Sequence, residues 1–183
     1  VTISHAGYIK RNAVSLYRAQ RRGGKGKIGM GIKEEDFVVN LFTASTHDSL
    51  LFFTDAGKVY WLKVHEIPEA SRGAKGKALV NLLALSSNEK VTATLPVKEF
   101  RDDRYIVMGT KKGIIKKTEL SAFSNPRQGG IIALGLESGD RLISVQLTDG
   151  QREILLGTRQ GLTIRFKEEE VRSMGRTAYG VKG

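Results

Sequence analysis

Ile106-Val-Met-Gly-Thr-Lys-Lys-Gly113-Ile-Ile-Lys-Lys117 runs from an apolar stretch through a short turn closing on glycine into a second strand-like stretch. A hairpin loop with one residue in the left-handed backbone region places glycine there, because glycine enters that region without steric cost. The pattern recurs at Val1-Thr-Ile-Ser-His-Ala-Gly7-Tyr-Ile-Lys-Arg11, at Leu51-Phe-Phe-Thr-Asp-Ala-Gly57-Lys-Val-Tyr-Trp61 and at Ile154-Leu-Leu-Gly-Thr-Arg-Gln-Gly161-Leu-Thr-Ile-Arg165. The turn glycines lie 50, 56 and 48 residues apart, a period that marks a repeat architecture.

A second glycine keeps step. Sixteen residues beyond the turn glycine stand Gly23, Gly73 and Gly129, in Arg-Arg-Gly-Gly-Lys-Gly, Ser-Arg-Gly-Ala-Lys-Gly and Pro-Arg-Gln-Gly-Gly; the fourth counterpart, Gly175, comes two residues early. Two more apolar runs follow each complete loop, such as Ala78–Leu83 and Val91–Leu95. Each unit therefore predicts about four short strands, the content of a propeller-type blade, without the Trp-Asp signature of the commonest blades. The units fall at about 1–45, 46–99, 100–150 and, in part, 151–183, within one all-β domain spanning 1–183. Alternation in Leu162-Thr-Ile-Arg-Phe-Lys167 predicts a strand burying Leu162, Ile164 and Phe166. Leu51–Phe53 and Val59–Leu62, apolar on both faces, predict inner strands. Lys63–Ala70 and Lys167–Met174 each have room for a short helical turn.

The 183 residues carry 40% apolar side chains, enough for a core, and a net charge of +11. That balance favours an extended anionic partner such as nucleic acid over a small acidic metabolite, with a membrane surface as the weaker option. No apolar run approaches the roughly 18 residues of a spanning helix and no basic amphipathic anchor is visible, so a soluble protein is expected. Without cysteine there is no disulfide framework, thiolate nucleophile or thiolate metal site, which is compatible with a reducing cytoplasm. The first residues lack the regions of a signal peptide and begin in mid-strand, as a cut fragment would.

Charge and backbone freedom meet in Gln20-Arg-Arg-Gly-Gly-Lys-Gly26. Gly23, Gly24 and Gly26 let the main chain approach a ligand with its N–H groups forward, while Arg21, Arg22 and Lys25 supply fixed charge, a pairing suited to phosphate. Eight Lys/Arg residues precede the first acid, Glu34, with Lys33 the last of them. Four residues after each turn glycine stand Arg11, Trp61, Lys117 and Arg165. In radially stacked blades that register would form a basic stripe; the plain alternative is that exposed strands carry Lys and Arg to block edge pairing.

These residues give the chain its resemblance. The loop Gln20–Gly26, with Ser4–Arg11, Tyr17–Gln20, Phe52–Lys63 and Val171–Ala178, is similar to the carboxy-terminal domain of the DNA gyrase A subunit, in the type IIA topoisomerase family, over essentially all 183 residues. The seven-residue loop resembles the box that separates that subunit from its topoisomerase IV relative. The resemblance implies a β-pinwheel, a propeller-like disc whose blades exchange strands, here three to four blades of a larger bacterial ring. It implies duplex DNA, bound non-specifically and wrapped around a basic rim in support of negative supercoiling. Gln20, Arg21, Arg22, Gly23, Gly24, Lys25 and Gly26 become the candidate DNA-binding box. Lys10, Arg11, Lys27, Arg72, Lys75, Lys77, Lys116, Lys117, Arg127, Arg165 and Arg176 become the candidate rim. The box has a second expected role, latching the ring and setting where DNA enters or leaves, with Gln20 satisfying main-chain groups. The resemblance further implies a non-catalytic part of an ATP-dependent enzyme and a cytoplasmic, nucleoid-associated setting. The partners it implies are the remainder of the A subunit with the B subunit in an A2B2 assembly. Dimer contacts are expected from the remainder, so this piece is expected to be a monomer.

Catalytic readings find little footing. Gly24-Lys-Gly-Lys-Ile-Gly29 fits Gly-x-Gly-x-x-Gly, yet two arginines precede it and Met30-Gly31 follows where a nucleotide-binding fingerprint needs a helix. Neither Gly26-Lys27 nor Gly76-Lys77 has the upstream glycine of a Walker loop. No ATP site is expected, nor a cofactor; ATP and Mg²⁺ belong to the rest of the holoenzyme under the resemblance. His5, His47 and His65 lack a second ligand at metal spacing, and Glu34–Asp36, Asp102-Asp103 and Glu168–Glu170 read as solvated loop charge. The only Arg-Tyr pair, Arg104-Tyr105, opens an apolar strand. The resemblance places the catalytic tyrosine elsewhere in the A subunit. The alternatives are a propeller-like protein-interaction platform, a topoisomerase IV-type DNA-binding domain and, remotely, a nucleotide-using enzyme; the scarcity of aromatics, 7% of residues, weighs against the first.

Overall fold

A computed structural model describes residues 1–32 and 35–183. Lys33 and Glu34, the ends of the basic and acidic stretches noted above, lie outside the described residues. The described chain is built from short antiparallel strands joined by hairpins, with 3₁₀ turns and no α-helix. At each hairpin the turn glycine lies in the left-handed region, φ +80° at Gly7, +74° at Gly57, +80° at Gly113 and +86° at Gly161.

Strands β1 (Thr2–Ser4), β2 (Tyr8–Lys10) and β3 (Val38–Leu41) come from the first repeat, and β4 (Ser49–Thr54), β5 (Lys58–Lys63), β6 (Lys77–Ala78) and β7 (Val91–Val97) from the second. The third supplies β8 (Tyr105–Thr110), β9 (Ile114–Glu119), β10 (Ile131–Ile132) and β11 (Leu142–Thr148), the fourth β12 (Glu153–Gly157), β13 (Thr163–Lys167) and β14 (Val181–Lys182). Sheet orders are β3-β1-β2-β6, β10-β5-β4-β7 and β11-β8-β9-β14, with β12-β13 as a two-stranded fourth sheet. Each complete sheet thus holds three strands of its own repeat and one short strand from the next. This is the strand exchange of a pinwheel. The second and third repeats supply the expected four strands and spend one of them on the preceding sheet, while the first supplies three, among the described residues.

Burial follows from this stacking. In β4, Leu50 and Phe52 pack with Ile3 and Ile9 of the first sheet, while Leu51 and Phe53 pack on the other side with Ile106 and Met108 of the third. A strand buried on both faces is the expected consequence of an apolar run without alternation. A smaller cluster of Val107, Ile115 and Val171 joins the third repeat to the fourth. The expectation for β13 needs correction. Leu162 and Ile164 are exposed and Phe166 only half-buried, because no further sheet covers that face among the described residues.

Short 3₁₀ turns at Val64–Glu66, Leu120–Phe123 and Glu168–Glu170 follow β5, β9 and β13, inside the stretches read as helical turns where one was expected. They drive Val64 and Ile67, then Leu120 and Phe123, then Val171 against the preceding repeat. At one edge of the stack β7 and β11 lie close together, where the Thr92 hydroxyl donates to the Leu142 carbonyl at 3.3 Å. The exchanged strands β6, β10 and β14 occupy the opposite edge of their sheets. The second and third sheets thus meet at β7 and β11, and the glycine-rich loops lead into the exchanged strands at the other edge.

Candidate nucleic-acid interface

Those loops hold the clustered cations. The first leaves the 3₁₀ turn Val14–Leu16, and every residue from Arg18 to Ile28 is exposed. Its conformation comes from its own sequence. The Gly26 N–H donates to Gln20 Oε1 at 2.9 Å and Gln20 Nε2 to the Gly26 carbonyl at 3.4 Å, so one side chain closes the loop. The Gly24 N–H donates to the Arg21 carbonyl at 3.1 Å. A Cβ on Gly24 would stand 2.6 Å from Gln20 Oε1, and Gly23 and Gly26 adopt φ +89° and +72°. Gly23 and Gly26 thus hold backbone conformations that other residues adopt only with strain, a side chain at Gly24 would displace the Gln20 amide, and Gln20 does satisfy main-chain groups. The side chains of Arg18, Arg21, Arg22, Lys25 and Lys27 make no hydrogen bond or ion pair among the described residues. Arg18, just ahead of the loop, is a cation that the motif reading left out of the site. Its signal was the lack of any acid before Glu34.

The equivalent loops present fewer unengaged cations. Lys77 and Arg127 are exposed. Arg72 is half-buried, and the Lys75 ammonium stands 3.6 Å above the Tyr8 ring, a cation–π contact across the repeat boundary. Arg176 is half-buried, its Nη1 donating to the Ile132 carbonyl at 3.2 Å. Arg165 is exposed on β13, with Nη1 3.6 Å from the Glu153 carboxylate.

The register four residues past the turn glycine corrects the expected stripe. Arg11 Nε donates to the Ile67 carbonyl at 2.8 Å and Nη1 to Glu69 at 3.0 Å, Trp61 Nε1 donates to the Phe123 carbonyl at 3.0 Å, and Lys117 Nζ to that of Glu168 at 2.9 Å. Arg11 and Trp61 thus cap carbonyls at the end of the next repeat's 3₁₀ segment, whereas Lys117 reaches the carbonyl of the first residue of the corresponding segment. One residue earlier, Lys10 Nζ donates to the carbonyls of Ser71, at 2.9 Å, and Arg72, and Lys116 Nζ to those of Ala133, at 2.8 Å, and Arg176. Lys10, Lys116 and Lys117 are buried and leave the rim. Their ammonium groups serve seams that an uncompensated buried carbonyl would weaken. Desolvation, aided by the nearby Arg176 charge, lowers Lys116 to a pKa of about 8, and burial lowers Lys10 as well.

A cavity of about 870 Å³ between the first two repeats is lined chiefly by apolar and small side chains, among them Val1, Val14, Leu41 and Phe42. Among the described residues no three His, Cys, Asp or Glu side chains gather as a metal site would require. Tyr105 is half-buried, its ring 5.2 Å from Lys117 Nζ, and a Cβ on Gly150 would stand 2.9 Å from that ring.

A profile of the DNA gyrase C-terminal domain, beta-propeller, matches residues 1–45, 48–98, 104–149 and 152–183. The DNA gyrase A subunit of Halalkalibacterium halodurans is 52% identical over all 183 residues, which cover 22% of that protein, and its counterpart from Klebsiella oxytoca is 54% identical, with 21% covered. The chain spans about a fifth of the length of these curated relatives. Among solved structures, a DNA topoisomerase IV C-terminal domain superposes with TM-score 0.86 at 30% identity, over the whole chain and 55% of that domain. A DNA gyrase A C-terminal domain gives 0.74 at 25%, over the whole chain and 58% of its own length. The profile, which covers all four repeats, and the full-length identity to gyrase A subunits place this chain in the DNA gyrase C-terminal domain, beta-propeller, family.

Proposed function

We propose that this chain binds duplex DNA without sequence preference and bends it along the edge that carries the glycine-rich loops and the exchanged strands, as the wrapping part of a gyrase A subunit. The observation that carries this reading is the set of exposed cations along this edge: Arg21, Arg22, Lys25 and Lys27 on the first loop, Lys77 on β6 just after the second loop and Arg127 on the third loop. Such an arrangement suits a smooth polyanion better than a compact ligand, since phosphates are held by charge and main-chain N–H groups without reading bases. Bending 20–30 bp through 40–90° costs on the order of 1–6 kcal/mol, so contacts must be spread along an arc. Six neutralised phosphates would give a slope of roughly −5 for log K against log salt.

In this reading the fragment performs no catalysis. Tyr105 is packed against Lys117 and Gly150, a setting for a structural ring rather than an attacking phenol. ATP and Mg²⁺ act in the remainder of the holoenzyme. The partners are DNA, the B subunit and the rest of the A subunit, in an A2B2 assembly on the nucleoid in the bacterial cytoplasm. The identity of 52% and 54% to gyrase A subunits over the whole chain supports the gyrase reading.

Relaxation of a plasmid by a type I topoisomerase with the chain bound in excess, followed by deproteinisation and topoisomer separation, tests the proposal. A retained positive linking difference supports chiral wrapping; no shift, with binding confirmed in the same buffer, reduces the function to binding. A linking change in the absence of the topoisomerase would overturn the non-catalytic reading.

A further inference from the structure

The edge that carries the exchanged strands is not cationic throughout. In β10, Ile131 packs into the core between the second and third repeats, so the alternation of a strand turns Ile132 away from it, and Ile132 is 48% exposed. The loop of the fourth repeat passes beside it. Arg176 Nη1 donates to the Ile132 carbonyl at 3.2 Å, and the Gly135 N–H donates to the Ala178 carbonyl at 3.0 Å. These bonds lay Tyr179 on the third repeat, where a Cβ on Gly135 would stand 3.2 Å from the ring, and still leave Tyr179 59% exposed.

Ile132 and Tyr179 thus belong to one internal junction, that of the third and fourth repeats. Lys75 takes the place of Tyr179 in the second repeat, each standing just before a left-handed glycine. It too lies on the preceding repeat and stays partly exposed, with its own repeat complete behind it. At the junction of the second and third repeats the same two places hold Ala78 and Gly129. Bulk and apolar character together are therefore particular to the later junction. Cations flank the pair: Arg176 is bonded to the Ile132 main chain, and Arg127 is exposed on the loop that leads into β10.

We propose that Ile132 and Tyr179 contact thymine methyl groups in the major groove of bound duplex DNA and so select which turn of the duplex faces this junction. The inference rests on the DNA-binding reading above and adds a base contact to it. An uncharged group on an edge that grips phosphates has no phosphate to hold, and the apolar group that a duplex turns outward is the methyl of thymine, in the major groove. The minor groove, about 6 Å wide and compressed in duplex bent over a protein, leaves little room for a branched side chain beside an aromatic ring. Phosphate contacts carry no sequence and allow every register of the duplex equally. The methyl contact makes one register preferred without adding to the phosphates neutralised.

Binding of the 183-residue chain to two duplexes of one A·T-rich sequence, one with thymine and one with uracil in its place, tests the proposal. Removing the methyl leaves every phosphate and every base pair in place. The thymine duplex is expected to bind more tightly, by roughly four-fold for each methyl covered, the effect of taking one methylene-sized group out of water. The salt slopes for the two duplexes should be equal. Ile132→Ser and Tyr179→Ser alter exposed side chains, so the doubly substituted chain should keep the parent circular dichroism spectrum and salt slope while binding both duplexes alike. Equal binding of the two duplexes by the parent overturns the methyl contact and leaves the DNA-binding reading standing. Binding of neither duplex overturns both. A preference for thymine that survives in the doubly substituted chain overturns the assignment to Ile132 and Tyr179, since it then comes from the duplex itself or from another part of the edge.

Discussion

The loops Gln20–Ile28 and Ala70–Ala78 are written in nearly the same residues and lead different lives. Both run through arginine, glycine and lysine to a left-handed glycine and a short extended segment. The second is gripped by the preceding repeat: the Ala70 N–H donates to the Arg11 carbonyl at 3.2 Å, Asn12 Nδ2 donates to the Ala70 carbonyl, Lys10 takes the next two carbonyls, and Lys75 lies on Tyr8. The first has no such neighbour among the described residues, and where Ala70 stands in the second it has Gln20, whose side chain ties the loop to its own Gly26. One segment type thus serves as a seam when a neighbouring sheet receives it and as a charged outer loop when none does. The glutamine replaces, within the loop, the hold that a neighbour supplies elsewhere.

The largest effect that would break this comparison lies at the paired glycines. Gly76→Ala puts a Cβ into the Ile9 carbonyl and strains a left-handed backbone, which should cost about 3–5 kcal/mol in urea unfolding. Gly26→Ala meets no atom and carries only the backbone strain, about 1–2 kcal/mol. Equal losses at the two sites would mean that the seam is not what distinguishes the loops.

Next in size is a pH effect confined to the seam. Lys116 is lowered from 10.5 to about 8, so between about pH 8 and 10 the folded chain has released a proton that the unfolded chain still holds. Stability should therefore rise with pH across that window, with a slope of up to about 1.4 kcal/mol per pH unit. Lys10 is shifted in the same direction, while Tyr60, raised to about 12 by burial and the Glu89 carboxylate, opposes it only above pH 10. Lys116→Met should flatten the slope. A slope that survives this substitution would take the titration away from Lys116.

The seam was the part least legible in the sequence. The hairpins could be read, because a turn glycine flanked by apolar runs and recurring at a fixed period fits little besides a hairpin. Lys10, Lys116 and Lys117 could not, because lysine on a strand ordinarily faces water and the carbonyls they reach lie 17 to 62 residues away in the chain. The one available signal was that Lys10 follows Ile9, and Lys116 and Lys117 follow Ile114-Ile115, in strands with little polar alternation. The opposite misreading occurred in β13, where alternation predicted a buried face; alternation marks a face that is able to be buried, and a partner sheet decides whether it is. The loop Gln20–Gly26 was legible both as a cationic turn and in its need for glycine. Its clamp by Gln20 was legible only as an expectation about unnamed main-chain groups.

DNA binding separates the two loops further. Replacing Arg21, Arg22 and Lys25 together with alanine should flatten the salt dependence of DNA affinity by about 2–3 in log–log slope, near 0.9 for each phosphate no longer neutralised. Lys117→Met should leave the slope unchanged, because its ammonium is already committed to the Glu168 carbonyl. If the two variants change the slope alike, the exposed loop has no privileged place on the DNA path.

The smallest effect is the most specific to the glutamine. Gln20→Ala removes no charge and no buried surface, only two hydrogen bonds in an exposed loop, so global stability should fall by no more than about 1 kcal/mol. Its consequence lies in order. The Gly26 N–H loses its acceptor, and Arg21, Arg22 and Lys25 are no longer held on one closed turn, so each must be positioned at the moment of binding. Affinity for duplex DNA should drop a few-fold with the salt slope intact, since the same number of phosphates is contacted, and exchange of the Gly26 amide should speed up. A fall in slope would mean instead that Gln20 carries a phosphate contact of its own. The loop would then be held by DNA rather than by its own side chain.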